Sequence, residues 1–245
     1  MQHHSLEISA LQDAAYQGRF DLYASIHKAL RAYLAHTLQR VGNMDCSEDA
    51  SVRQTCAEVD ALASFCSQHL QHENDMVHPV LERLQSGSSG QITAEHEEHV
   101  QAIAALQLLV ARLRDAAPTD RAALAHRLYL QLSRFMAHNL EHMWVEETHH
   151  NQVLWSHYGD ADLLELHHYI VGSLSPEHTA EVMHWMIPAS SPAERVGILQ
   201  DIRQNAPADA FGAIMQLARA RLNDSEWQHL ARALGHPVVP GLTEV

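Results

Sequence analysis

Four histidine–glutamate pairs four residues apart are written into the chain: His3/Glu7, His69/Glu73, His78/Glu82 and His142/Glu146. On a helix, that spacing places the two side chains about 40° apart on one face, one turn above the other. An imidazole and a carboxylate held this way are donors to a first-row transition metal. In a chain with 21 histidines, chance supplies about one or two such pairs. Position on the helix must therefore separate chemistry from coincidence.

The stretch "HLQHENDMVHPVLE", residues 69–82, sets His69 and Glu73 within an apolar stripe. His78 lies nine residues beyond His69, about 180° round an α-helix, and should face away. "HMWVEE" repeats the inward arrangement with His142 and Glu146, and "SIHKALRAYL" aligns His27 with Leu30, Leu34 and Leu38. "AEHEEHVQAIAAL" places His96 and His99 on one stripe with Ile103, Leu106 and Val110. Each of four helical segments thus carries an inward histidine, and two add a glutamate one turn on. A carboxylate buried in a helical core costs several kcal/mol unless it is paired. Lys28 is the single lysine and arginines are scarce near these positions, so the counter-charge points to cations. Two carboxylates among four imidazoles suit a pair of first-row metals about 3.5–4 Å apart. His3, His4, His36, His78, His149, His150, His157 and the histidines further on are expected on solvated faces or as ordinary structural residues.

The rest of the composition narrows the class. A length of 245 residues holds one large or two modest domains. The 46% apolar content is that of a globular chain. A formal charge of −14 disfavours nucleic acid or an anionic membrane as partner. No apolar run spans a bilayer, and "MQHHSLEISALQDAAYQGRF" lacks the character of a signal peptide, so the expected location is cytoplasmic. Cys46, Cys56 and Cys66 fit no zinc spacing and read as free thiols.

The elements that must position these residues are helical almost throughout, and strand-like alternation is scarce. Helices are expected from Arg19 to Val41, from Glu48 to Gln85 with a kink at Pro79, from a cap at Thr93 to about Asp115, and from about Asp120 to Trp155. "SGSSG" (86–90) and "APTD" (117–120) separate them. A segment around Leu6 to Tyr16 is expected to pack on this assembly. The fold class is all-α: an up-down-up-down four-helix bundle followed by a smaller C-terminal helical region. The division falls at 157/158, giving residues 1–157 and 158–245. Five shorter helices are expected in the second part, at 160–173, 176–187, 192–205, 207–222 and 224–234. Pro176, Pro192 and Pro207 stand at or beside first turns, Asp224 reads as an N-cap, and Gly235 as a C-cap. "VMHWMIP" (182–188) has helical spacing and reads as core.

Residues 19–155 resemble the hemerythrin-like (HHE cation-binding) family, whose order is a lone His, HxxxE, a His, and a second HxxxE. His27, then His69 and Glu73, His96, and finally His142 and Glu146 occupy those places, with the proline of "HENDMVHPVLE" and the doubled glutamate of "HMWVEE" also matching. The resemblance implies a non-haem di-iron centre, two iron ions bridged by the two glutamates and by oxo or hydroxo, with an open position for O₂, NO or peroxide. The oxygen carriers carry HxxxH on the third helix and HxxxxD on the fourth. Here His96-x-x-His99 and Glu146 stand instead, so the fifth nitrogen ligand is His99, His72, His138 or none. The expected function is binding or sensing of a small ligand or of iron status. The C-terminal helices are left to dimerise or to meet a protein partner. The alternative is a di-iron enzyme with oxidase or peroxide-consuming activity. A ferritin-like oxidase does not fit: Met76 stands where the histidine after Glu73 would fall, and the first helix has no inward glutamate.

Overall fold

The computed structural model describes residues 18–236, and the expected segment at Leu6 to Tyr16, with His3 and Glu7, lies outside them. Among the described residues the chain is all-helical, with no strand. None of these helices is long and apolar enough to cross a membrane. Among the described residues, 18–173 form one compact unit and 174–236 a second.

In the first unit, four long helices carry the core: α1 (Ala24–Gly42), α2 (Asp49–His72), α4 (Gly90–Arg114) and α5 (Pro118–Val145). Each buries residues at alternating steps of four and three. On α1 these are His27, Leu30, Leu34, Thr37 and Val41, and on α4 His96, His99, Ile103, Leu106, Val110 and Leu113. On α5 the stripe runs Ala125, Leu128, Leu132, Phe135, Asn139, His142. This spacing marks a seam that packs against neighbouring helices. The contacts close a ring: α1 meets α2 and α5, and α4 meets α2 and α5. Tyr33 of α1 and Phe65 of α2, both buried, meet edge to face at 5.5 Å between ring centres. The putting of histidines on these same seams is what buries them.

Two departures from regular helix matter for the site. After α2 comes a π-helical turn, Glu73–Val77, before α3 (His78–Leu84), and the His78 N–H reaches back five residues to the Glu73 carbonyl. Pro79 follows directly. Lacking an N–H, it cannot complete the α-ladder to Asp75, and the chain opens one turn before it. A second π turn, Glu146–His150, links α5 to α6 (Asn151–His157), with the Asn151 N–H bonded to the Glu146 carbonyl. There the Thr148 hydroxyl donates to the Trp144 carbonyl at 2.7 Å, competing with the backbone ladder. The break at 85–89 is ordered by Glu82, whose carboxylate accepts from the N–H groups of Gly87 and Ser89 and from the Ser89 hydroxyl. Helix α4 therefore begins at Gly90 with Ser89 as its N-cap, and Thr93 falls inside it.

Helix α7 (Asp160–Gly172) belongs with this first unit, so residues 158–173 do not group with the following helices as expected. Leu163 is buried with Tyr23, Val77, Leu81 and Leu154, and Asp160 takes the Arg19 guanidinium at 2.7 Å. The second unit comprises α8 (Pro176–Ala189), α9 (Pro192–Asn205), α10 (Ala208–Arg221) and α11 (Asp224–Ala233). Pro176 and Pro192 take first-turn positions, whereas Pro207 precedes its helix. Asn223, rather than Asp224, caps α11, and Gly235 ends it at φ +68°. Ile187, Leu199, Met215 and Leu230 form its core with Met183 packed against them, as the "VMHWMIP" spacing indicates. Buried Arg195 donates from Nε to the Ile187 carbonyl at 2.7 Å and from Nη2 to Glu226 at 2.9 Å.

Candidate metal centre

The inward stripes of α1, α2, α4 and α5, with the π turns that follow α2 and α5, deliver their polar members to one place. His27, Glu73, His96, His142 and Glu146 are all buried, with His27 and Glu146 fully so, and His69 is nearly so. Their donor atoms sort into two groups, His27/His69/Glu73/Glu146 and Glu73/His96/His142/Glu146, each compact enough to hold a metal ion.

The glutamates divide their oxygens between these groups. Glu73 turns Oε1 toward His69 Nε2 at 3.2 Å and His27 Nε2 at 3.9 Å, and Oε2 toward His96 Nε2 at 3.5 Å. Glu146 turns Oε2 toward His27 Nε2 at 3.4 Å, and Oε1 toward His142 Nε2 at 3.4 Å and His96 Nε2 at 4.0 Å. Each carboxylate thus has one oxygen in each group. Both oxygens of both glutamates, and the Nε2 atoms of His27 and His69, have no hydrogen-bond partner. Buried polar groups without partners are costly, and a metal ion held by these groups could satisfy many of them at once.

The outer ring nitrogens tell the same story. His27 Nδ1 meets Glu147 Oε1 at 3.1 Å, and Arg31 grips Glu147 through both guanidinium nitrogens, one at 2.9 Å. His96 Nδ1 meets Asn74 Oδ1 at 2.8 Å, and His142 Nδ1 meets Glu95 Oε2 at 2.9 Å. With oxygen acceptors on Nδ1, the protons sit there and the Nε2 lone pairs face inward. This arrangement orients imidazoles toward a metal. It leaves His96 Nε2 and His142 Nε2 only 3.1 Å apart. A proton or a cation must stand between two such lone pairs.

Without a cation, protons hold the charge balance. Burial pushes the His27 imidazole down, but the facing carboxylates of Glu146, Glu147 and Glu73 outweigh it and hold the group well above its ordinary value. Burial is likewise outweighed at His142, where Glu146 lifts the imidazole to about 9. Glu73 is pushed up to about 7, first by burial and then by the charge of Glu146. Burial pushes Glu146 upward too, yet His142 and His27 hold it well below the usual carboxylate range. Burial keeps His69 well below its usual value and brings His96 to about 3. The donor set thus fits a divalent pair, which would replace the protons on His27, His142 and Glu73.

Of the other expected ligands, His99 is buried, edge-on to the His142 ring at 4.7 Å, but lies in neither group and its Nδ1 lacks a partner. His72 and His138, the other choices for a fifth nitrogen, are likewise outside both. His78 and His150, expected to be ordinary, are instead buried beside the site and form a third group with Glu146. The π turns are the reason. Each adds a residue to its turn, so His78 falls one turn below Glu73 rather than on the far face, and His150 falls below Glu146. The Pro79 directly after His78 was the available sequence signal. Glu147 is the second of the doubled glutamates in "HMWVEE", whereas Glu95, Asn74 and Arg31 carry no such signal, because they stand beside the stripes rather than on them.

No family model matches the chain, and no curated protein or solved structure matches it either. What the fold and site define is an all-helical protein with a buried His/Glu cluster able to hold metal.

Proposed function

We propose that residues 18–173 form an up-down-up-down four-helix bundle of the hemerythrin-like kind that holds a dinuclear non-haem iron centre. The observation that carries this reading is the sharing of Glu73 and Glu146, one oxygen apiece to each of two histidine groups. His27 and His69 would hold one ion, His96 and His142 the other, and the two carboxylates would bridge them. Bound there, such a pair supplies Lewis acidity and one-electron redox chemistry toward a small ligand.

The chain's own contribution is orientation, charge and exclusion of water. The Arg31–Glu147 pair fixes the His27 ring and raises its basicity, and Glu95 does the same for His142. Two imidazoles and two shared carboxylates for each ion leave room for a diatomic or peroxide ligand. The function that follows is binding or sensing of such a ligand, or of iron status. An oxidase of the ferritin type is disfavoured, because the buried stripe of α1 offers His27 and no carboxylate. The test is metal analysis of the full chain after anaerobic loading with Fe(II). Two irons held at these groups are expected, with loss of at least one in Glu73→Ala. One iron or none in the unaltered chain overturns the dinuclear reading.

A further inference from the structure

We propose that His78, His150 and Glu146 form a cation-loading position through which metal ions reach the inner pair. It rests on the dinuclear reading, since Glu146 belongs to all three donor groups. Glu146 and His150 are fully buried and His78 is 6% exposed. The Nε2 atoms of both histidines and both Glu146 oxygens lack hydrogen-bond partners, and one donor atom from each residue lies within 4.8 Å of the others. Two imidazoles and one carboxylate are a sufficient first-row metal set with open positions.

The outer nitrogens of both histidines also have partners, here hydroxyl groups. His150 Nδ1 meets the Tyr23 hydroxyl at 3.1 Å, and His78 Nδ1 meets the Thr93 hydroxyl at 3.4 Å. His78 also stacks on His96 at 4.9 Å between ring centres and stands edge-on to His150 at 5.8 Å. It therefore links a surface position to an inner one. On its outer side is an open hollow lined by Asn74, His78, Glu82, Thr93, His96 and Glu97. Two carboxylates at this hollow, on a chain of formal charge −14, favour the approach of a cation.

Charge decides between transient and permanent occupancy. Two buried carboxylates balance two divalent ions poorly and three worse, and Glu146 has only two oxygens to share. A cation at His78/His150 is thus held while an inner position is empty, then passes inward along Glu146. No bond but metal–ligand bonds changes, and the protons displaced leave to solvent.

The experiment follows Zn²⁺ uptake by the metal-free full chain, by stopped-flow with a chromophoric zinc indicator, in the unaltered protein, His78→Phe and His78→Ala/His150→Ala. His78→Phe keeps a ring against His96, so it reports on the lost donor with packing retained. Uptake is expected to slow by about ten-fold or more in both variants. Uptake by His78→Phe at the unaltered rate overturns the loading position while leaving the dinuclear reading standing. No Zn²⁺ uptake by the unaltered chain overturns the dinuclear reading itself.

Discussion

Withdrawing metal should destabilise the first unit, and by more as pH rises. A ligand that binds only the folded chain contributes about 4 kcal/mol at a thousand-fold excess over its dissociation constant. For a domain of this size each kcal/mol is worth about 2–4 °C, so chelation should lower the melting temperature by about 8–16 °C. The pH dependence follows from the groups at the site. In the metal-free fold His142 sits at about 9 and His27 is also raised, so their stabilisation is complete below about 6.5 and is lost as pH rises through the folded values. Glu73, lifted to about 7, loses stability between about 4.5 and 7 as its proton leaves. Glu146 acts in the opposite sense, its contribution being lost only as pH falls through its depressed value. The metal-bound fold has no such acid preference, because ligation needs these groups deprotonated. Differential scanning calorimetry with and without chelator, from pH 6 to 9, should therefore show a gap that widens with pH. Chelation near pH 7 should also take up about two to three protons per chain. A gap that is absent, or constant across this range, would refute the assignment of these side chains as ligands.

Further expectations concern single positions. Glu147→Ala or Arg31→Met frees the His27 ring and should weaken metal binding by about 10–100-fold in a chelator competition, with helix content by circular dichroism unchanged. Leu132→Ala, at a fully buried point of the α5 seam, should cost about 2–5 kcal/mol in urea unfolding of the metal-free first unit. Arg195→Met strips the Ile187 and Pro188 carbonyls of their donor and should cost about 2–3 kcal/mol in the transition of the second unit, with metal content untouched.

Much of this molecule is legible in periodicity. The four-and-three spacing that buries Leu30, Leu106 and Leu132 also dictates that His27, His96 and His142 turn inward, so the histidines of the inner cluster can be read without coordinates. The five short helices can be read as well, because prolines and caps punctuate them. What could not be read depends on departures from α-geometry. Counting 100° per residue sends His78 to the outer face, and only the π turn before Pro79 returns it. His99 stands on the right stripe, but three residues after His96 its ring meets Phe135 and His142 rather than the glutamates. The start of α4 escaped because Glu82, from the preceding helix, organises the turn and moves the cap from Thr93 to Ser89. Partners such as Glu95 and Asn74 are chosen by the approach of neighbouring helices, which no single stripe records.

The most direct test of the dinuclear assignment is iron K-edge X-ray absorption on the full chain loaded with Fe(II) and oxidised in air. The shared carboxylates require an iron–iron scattering vector at about 3.5–4 Å or slightly shorter, with a nitrogen- and oxygen-only inner shell that includes imidazole. That vector should disappear in Glu146→Ala. An iron signal without any iron–iron vector in the unaltered chain, whatever its imidazole content, would contradict the account.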